Sequence, residues 1–345
     1  MQGSERRVNL GLVPELPDVA VYVDKIAERT VGRELLGLRL ASPFFLRTYD
    51  PKPDRLRGKK LLAVSRLAKR LVFEFEGELF AVLHLMVAGR FRWDDKTPGI
   101  PAKLPGKLGL AGFDFTSGTL IVTEASTKKR ASLHLVEGRA ALAAFDRGGL
   151  DVQRATLAEF AAAVRSERHT MKRTLTDQTL LSGIGNAFSD EILHAARLSP
   201  LQMSTSLTDE EMGRLFVATQ GTLETWRALL AAQPGFPEKV TAFREGMAAH
   251  GRYGKPCPTC GAPIQRIVYA DNETNYCATC QTGGKLLADR SMSRLLGADW
   301  PKNLEELENA RPAAKLPANP ERSTKVPKPA KAPRAPRVAK PKPES

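Results

Sequence analysis

The spacing of apolar residues along the chain changes several times, and each change marks an element. From Pro17 to about Arg29, Val19, Val21, Tyr22, Ile26 and Ala27 fall largely at helical spacing. A β-rich stretch follows. Leu61–Ala68, Arg70–Glu76 and Leu79–Leu85 predict strands, with Glu76-Gly77 as a turn. Phe113–Phe115 and Thr119–Thr123 flank Ser117-Gly118, which predicts a hairpin, and residues 94–107, rich in Pro, Gly and Lys, predict a loop. Near Gly138 the pattern turns helical. Leu157, Phe160, Ala161 and Val164 mark one face, and further helices are expected at about 170–181, 186–197 and 208–232. Gly251–Tyr276 returns to short strand patterns, and 285–310 is partly helical. No internal repeat stands out.

Charge changes the picture only in part. The chain has 345 residues, enough for two or three domains, and a formal net charge of +14, which points to a polyanionic partner. Residues 311–345 hold six Lys, four Arg and two Glu, so they carry +8, and the first 310 residues carry the remaining +6. With nine prolines, that tail has too little apolar surface to offset its ordering entropy and reads as a disordered basic tether for phosphates. No run reaches the length of a membrane span, and the first residues make a poor signal peptide. The expected location is cytoplasmic, associated with the nucleoid.

The four cysteines are the strongest chemical signal. Cys257 and Cys260, then Cys277 and Cys280, form two C-x-x-C pairs separated by 16 residues, with no cysteine left over. Such pairs aim four thiolates at one tetrahedral ion, so one structural Zn2+ is expected, closed to substrate. Arg252, Lys255, Arg266 and Lys285 surround it and stand where phosphates can be met. A second signal is Leu181-Ser-Gly-Ile-Gly-Asn186, which joins two predicted helices. Its glycines permit close backbone approach, and Asn186 opens a helix whose N–H groups can take a phosphate. Taken alone, this is an ordinary helix–helix turn.

Several segments, in order, resemble one family, the formamidopyrimidine-DNA glycosylases and endonucleases VIII. Pro14-Glu15-Leu16-Pro17-Asp18-Val19 resembles its mature N-terminus, and Ala68-Lys69-Arg70-Leu71 its lysine hairpin. His84-Leu85-Met86-Val87-Ala88-Gly89 resembles its His-Leu-Gly-Met-Ser-Gly strand end. Lys172 and the run from Asp177-Gln178 through Asn186 to Glu191 resemble its helix–two-turn–helix, and His250 to Cys257 with Cys277–Gln281 its zinc finger. The resemblance runs from Pro14 to about residue 310. It implies an α+β multidomain fold: an N-terminal β-sandwich flanked by helices at 14–137, a helix–two-turn–helix α domain at 138–248, and a C-terminal zinc-finger β-hairpin within 249–310, followed by the tail at 311–345. It also implies a monomer that binds double-stranded DNA with a damaged base or abasic site and flips the damaged nucleotide out.

The implied chemistry is base-excision repair by a DNA glycosylase that removes oxidised bases and carries an abasic-site (AP) lyase. Pro14 would be the nucleophile, since an α-amino group titrates near about pH 8 and is partly free at neutral pH. In the sequence as numbered Pro14 is internal and its nitrogen an amide. The expectation is therefore a true start at Val13, decoded as Met and removed, with residues 1–13 a mis-called leader. Glu15 would move protons and Lys69 would bind phosphate and assist elimination. His84, Lys172 and Asn186 would hold phosphate or the flipped nucleotide, although each also suits a plain structural role.

The departures from the family lie elsewhere. Ungapped alignment puts Val87 at the gap-filling methionine, with Met86 one residue early. The loop Asp-Pro-Arg-Arg-Phe-Gly is here Ser126 to Ala131, with Lys128 and Lys129 for the arginines and Arg130 for the wedge Phe. Arg130 can still stack through its guanidinium plane. Asn272 replaces an arginine that clamps phosphates, with Arg266 a candidate substitute, and Phe188 stands where tyrosine is typical. These changes keep a second reading open, a non-catalytic damaged-DNA-binding module. A third, an RNA-binding protein, is opposed by the Pro14, Glu15 and Lys69 set.

Overall fold

The computed structural model describes residues 13–95, 100–237, 244–269, 272–288, 297 and 301–310. The proposed leader up to residue 12, the basic tail and parts of 230–248 and 285–310 lie outside the described residues.

Helix α1 (Leu16–Thr30) opens the N-terminal lobe. Pro17 lies in its first turn, where a missing N–H costs nothing, and the Asp18 carboxylate takes the Glu15 N–H at 3.0 Å. Eight strands follow: β1 (Leu35–Leu40), β2 (Leu61–Leu67), β3 (Arg70–Phe75), β4 (Leu79–His84), β5 (Gly89–Asp94), β6 (Gly109–Phe115), β7 (Gly118–Glu124) and β8 (Ser132–Glu137). They form two four-stranded antiparallel sheets, ordered β1-β6-β7-β5 and β2-β3-β4-β8. Period-2 alternation decides which side chains enter the sandwich. Leu71 faces Leu83 and Phe73 faces Ala81 in one sheet, and Phe91 faces Val122 and Phe113 faces Leu120 in the other. All eight are in one buried cluster. Phe73 meets Phe113 edge-on at 5.5 Å between centroids, and Tyr22 brings α1 onto Phe91 at 5.2 Å. Each such buried ring contributes about 1.5–3 kcal/mol relative to exposure.

The short helix α2 (Arg139–Ala143) lies against the β2-β3-β4-β8 sheet, where Leu142 packs with Val72 and Phe80, and the second lobe contains α3 (Leu157–Arg165), α4 (Met171–Thr176), α5 (Asn186–Ala196) and α6 (Asp209–Ala231). Thr156 and Thr208 cap α3 and α6 with reciprocal partners at Glu159 and Glu211. Leu16, Phe160, Met171, Ile184, Phe188 and Trp226 share its core. Leu16 belongs to α1, so the start of the first helix is anchored in the second lobe. The chain after α6 returns to the sandwich, where Phe236 packs 5.9 Å from Tyr22 and the Pro237 carbonyl accepts from the Tyr22 hydroxyl at 2.8 Å. The ion pairs Arg66–Asp151 and Arg227–Asp24 also cross between lobes.

The last unit is a hairpin of β9 (Ile264–Val268) and β10 (Glu273–Cys277), then α7 (Ala278–Thr282) and α8 (Leu304–Ala310). Its core is two small buried clusters, Ile267, Tyr276, Ala278 and Leu286 in one and Cys257, Ile264 and Cys277 in the other. So small a core needs a staple. Among the described residues, no helix is long and apolar enough to cross a membrane.

Candidate active site and nucleic-acid cleft

The glycine turn is the centre on which the site is built. Helix α4 ends at Thr176, short of the expected residue 181, because polar side chains after it fold back on the backbone. Asp177 accepts from the N–H and hydroxyl of Thr179, and Gln178 accepts the Gly183 N–H at 2.9 Å while donating to the carbonyls of Thr176 and Ile184. The result is a turn whose carbonyl at Gly183 receives the Leu16 N–H at 3.0 Å. Gly183, at φ +88, leaves no room for a Cβ against Leu16.

The first turn of α5 lacks a cap of its own, and Glu15 supplies one from the other lobe. Its carboxylate accepts the N–H groups of Gly185 at 2.6 Å, Ala187 at 2.9 Å and Phe188 at 3.3 Å. A buried carboxylate, 2% exposed, is tolerable there because three donors and the positive end of the helix surround it. The sequence suggests Asn186 as the cap of this helix; it is instead the first helical residue, and its carbonyl accepts from Lys172 Nζ at 2.6 Å.

Lys69 arrives on the two-residue turn between β2 and β3, with Ala68 in the left-handed region at φ +52. A Cβ at Gly185 would lie 2.5 Å from Glu15 Oε1 and 2.6 Å from Lys69 Nζ. The two charged groups thus meet over one glycine, and only glycine leaves them space. Burial pushes the Lys69 ammonium below the ordinary lysine value; Glu15 opposes that shift and Lys172 adds to it. Pro14 is buried next to Glu15.

Lys69, Gly185 and Asn186 form part of a cleft of about 880 Å³. One wall is basic, with Arg168, Lys172 and Arg173 of the helical lobe, and the facing wall is Ile267, Tyr269, Asn272 and Thr274 of the zinc hairpin. Lys172, expected to hold phosphate or the flipped nucleotide, lines the cleft and is also paired within the protein. Its charge is matched inside the protein by Asp190 at 2.6 Å, with both side chains buried. Arg266, the candidate substitute for the clamp, is not among the residues lining the cleft. Strand alternation turns it away from Ile267, and it stacks 4.2 Å over the Tyr253 ring with Glu273 at 3.6 Å. Tyr269, whose backbone pairs with Asn272, occupies the cleft edge instead, and nothing in the residue pattern singles it out.

His84 Nδ1 accepts the Met86 N–H at 3.0 Å. Burial first, then the cations Arg70 and Lys69, pushes its pKa down to about 4, so the ring is neutral at neutral pH. Met86 stands where the motif carries glycine and keeps a glycine-like φ of +50. The Ala125 N–H donates to the Ala88 carbonyl at 3.3 Å and ties this turn to the loop of Lys128, Lys129 and Arg130. Glu124, itself buried, orders that loop by accepting the Arg130 and Ala131 N–H groups. Lys129 is folded onto the Glu124 carbonyl, whereas Lys128 and Arg130 are exposed.

The four cysteine sulfurs lie within 4.8 Å of one another. That spacing suits four thiolates about 2.3 Å from one tetrahedral zinc. The site stands apart from the cleft floor and stabilises the hairpin.

These features define a two-lobed, zinc-stapled nucleic-acid-processing protein with a buried Glu15–Lys69 pair between its lobes. Three family models match it in order: the formamidopyrimidine-DNA glycosylase N-terminal domain over residues 13–136, the H2TH domain of the same family over 150–230, and the zinc finger found in FPG and IleRS over 254–283. The formamidopyrimidine-DNA glycosylase of Thermus thermophilus is 31% identical over 79% of this chain and 100% of its own length. An uncharacterized formamidopyrimidine-DNA glycosylase-like protein of Mycobacterium tuberculosis is 43% identical, over 36% of this chain and 79% of that protein. The crystal structure of MutM (Fpg) from Thermus thermophilus superposes with a TM-score of 0.66 at 29% identity, covering 78% of this chain and 98% of that one. Lactococcus lactis Fpg in complex with abasic-site DNA shares the fold at a TM-score of 0.68 and 24% identity, covering 78% of this chain and 99% of that one. The chain belongs to the formamidopyrimidine-DNA glycosylase family, and is a DNA glycosylase of base-excision repair.

Proposed function

We propose that the protein removes oxidised bases from duplex DNA and cleaves the strand at the resulting abasic site through a Schiff base on Pro14. The observation that supports this most is the convergence of Glu15 and Lys69 on Gly185, beside Pro14 and at the floor of the cleft. With the chain beginning at Pro14, its nitrogen is a secondary amine with a free lone pair. That lone pair attacks the sugar carbon bearing the base, and the C–N bond to the base breaks with its electrons leaving on the base. The ring then opens to an iminium. Glu15 delivers and recovers the protons of ring opening, and loss of a proton from the adjacent sugar carbon expels the phosphate. Lys69 neutralises phosphate charge beside the break. The basic wall of Arg168 and Arg173 supplies the long-range attraction for the backbone.

A second reading, a damage-binding module without chemistry, is favoured by the internal position of Pro14 and by Asn272 facing the cleft without a replacement arginine. One experiment separates the two. Chains beginning at Pro14 and at Met1 are incubated with abasic duplex and borohydride, which reduces a Schiff base to a stable adduct. Trapping of the short form alone, lost in Pro14→Gly, supports the lyase. Tight binding by both forms with no adduct overturns it in favour of the module. Duplexes with an oxidised purine or an oxidised pyrimidine then test the substrate class.

A further inference from the structure

Helix α5 begins at the catalytic carboxylate and runs to the zinc site. Its face of Asp190, Glu191 and His194 is 0%, 5% and 7% exposed, polar where a buried helix face is ordinarily apolar. All three side chains reach the segment that leads into the zinc finger. Glu191 accepts the N–H groups of Ala248, Ala249 and His250 at 2.7, 2.9 and 2.8 Å. Asp190 meets His250 Nδ1 at 2.7 Å. His194 Nε2 lies 3.2 Å from Cys257 Sγ.

That last contact has one chemical solution when the metal is bound. Four thiolates on one divalent ion leave an excess of negative charge on sulfur, and a bound thiolate has no proton to give. A ring nitrogen held against such a sulfur is favourable only as the donor. Cys257 is 3% exposed, so water competes little for the sulfur. The Thr259 N–H, at 3.4 Å, is a longer second donor to it.

We infer that His194 donates an Nε2–H hydrogen bond to the zinc-bound Cys257 thiolate, making it a positioning residue of the metal centre supplied by the helical lobe. The bond draws electron density from the sulfur, which makes it a poorer nucleophile, and it holds the thiolate oriented for the metal, which slows release of zinc. It also fastens the hairpin to the helix whose first turn holds Glu15. Gln281 makes a second tie, donating to the Leu198 carbonyl just beyond α5 at 2.8 Å and accepting the Cys277 N–H at 2.8 Å. This role of His194 is independent of the lyase chemistry and holds equally for a protein that only binds DNA.

The test compares the full chain with His194→Phe, which keeps a planar ring and loses the donor. With cobalt in place of zinc, the variant is expected to retain one four-sulfur metal site while its thiolate-to-metal charge-transfer bands move to lower energy. The zinc form should release metal to a chelator roughly ten- to a hundredfold faster, and Cys257 should alkylate faster by peptide mass spectrometry. Unchanged bands, release and alkylation would overturn the inference. Should His194→Phe fail to fold, the unmutated chain decides. With isotope-labelled histidine and a spin-active cadmium isotope, a scalar coupling between the metal and the His194 Nε2–H proton is expected. A visible proton without that coupling rules the bond out.

Discussion

At the floor of the cleft, Glu15 accepts three backbone N–H groups and Lys69 closes over the same glycine. At its rim Asn272 is exposed; outside the cleft lining, Arg130 is exposed on its loop, and Met86 and Val87 sit on a tight turn. On the floor Pro14, Glu15, Lys69 and Asn186 match the family pattern, with Phe188 for tyrosine beside them, whereas the outer loops depart at Met86, Val87, Lys128, Lys129, Arg130 and Asn272. Packing explains the difference. A change on the floor displaces a buried charge or closes the space a glycine leaves, whereas a change on the rim alters only what meets DNA. The floor is therefore the less tolerant of the two to substitution.

The comparison would break most plainly if the floor tolerated substitution. Glu15→Gln is expected to lower base release by about 10²–10⁴-fold, measured as single-turnover cleavage, with DNA affinity nearly unchanged. Next is Gly185→Ala. The backbone there is at φ −126, which alanine accepts, so any damage comes from the added methyl against Glu15 and Lys69. A loss near 10²-fold is expected from the shift it forces. Activity close to wild type would show that the two charged groups have slack.

On the rim the sign reverses. Asn272→Arg should steepen the salt dependence of DNA binding by about one released ion, because it adds a cation to the wall that lacks one. Arg266→Ala should leave that slope alone, since Arg266 is turned toward Tyr253. Equal effects from the two would place Arg266 on DNA after all.

His84 gives a pH test. Its folded pKa of about 4 lies below the ordinary 6.5. Between these values the unfolded chain binds a proton that the folded one refuses, so stability falls as pH drops through that window. His84→Gln keeps an acceptor for the Met86 N–H and should flatten the decline of thermal midpoint between about pH 6.5 and 4. An unchanged decline would assign the acid sensitivity to other groups.

The floor is legible in the sequence, and much of its support is not. Strands β2–β4 read as short apolar runs bounded by turn residues. The paired cysteines suit little besides a metal, and two glycines so close together mark a near approach of backbone. Strand β1 is broken by Gly37 and Arg39, and β5 and β8 show only a short alternation, buried at Phe91, Leu133 and Leu135. Arg90 and Arg92 alternate with Phe91 and Trp93, and only Phe91 of that strand is fully buried among its large side chains. Helix α4 reads five residues too long because apolar spacing cannot show that Asp177 and Gln178 bond the backbone of the turn. Asp190, Glu191 and His194 do carry a signal: they are polar residues on the face of α5 that packing requires to be buried. Asp18 is similar. A carboxylate in the first turn of a helix is ordinarily solvated, yet Asp18 is 1% exposed and paired with the buried Arg244, which follows a stretch with no readable pattern.

Met86 carries the smallest expected effect and the sharpest division between strain and use. A side chain at φ +50 costs of order 1–2 kcal/mol, and glycine removes that cost while adding about 0.4–1 kcal/mol of unfolded-state freedom. Met86→Gly should therefore raise stability by no more than about 1 kcal/mol, read from denaturant midpoints. If the methionine is kept only by drift, nothing else changes. If it fills the gap left by a flipped base, one residue earlier than the family pattern, excision of a damaged base should slow while cleavage of a preformed abasic site does not, since that substrate has no base to flip. Equal slowing on both substrates would mean that the turn positions the floor, and the division between floor and rim would fail at this residue.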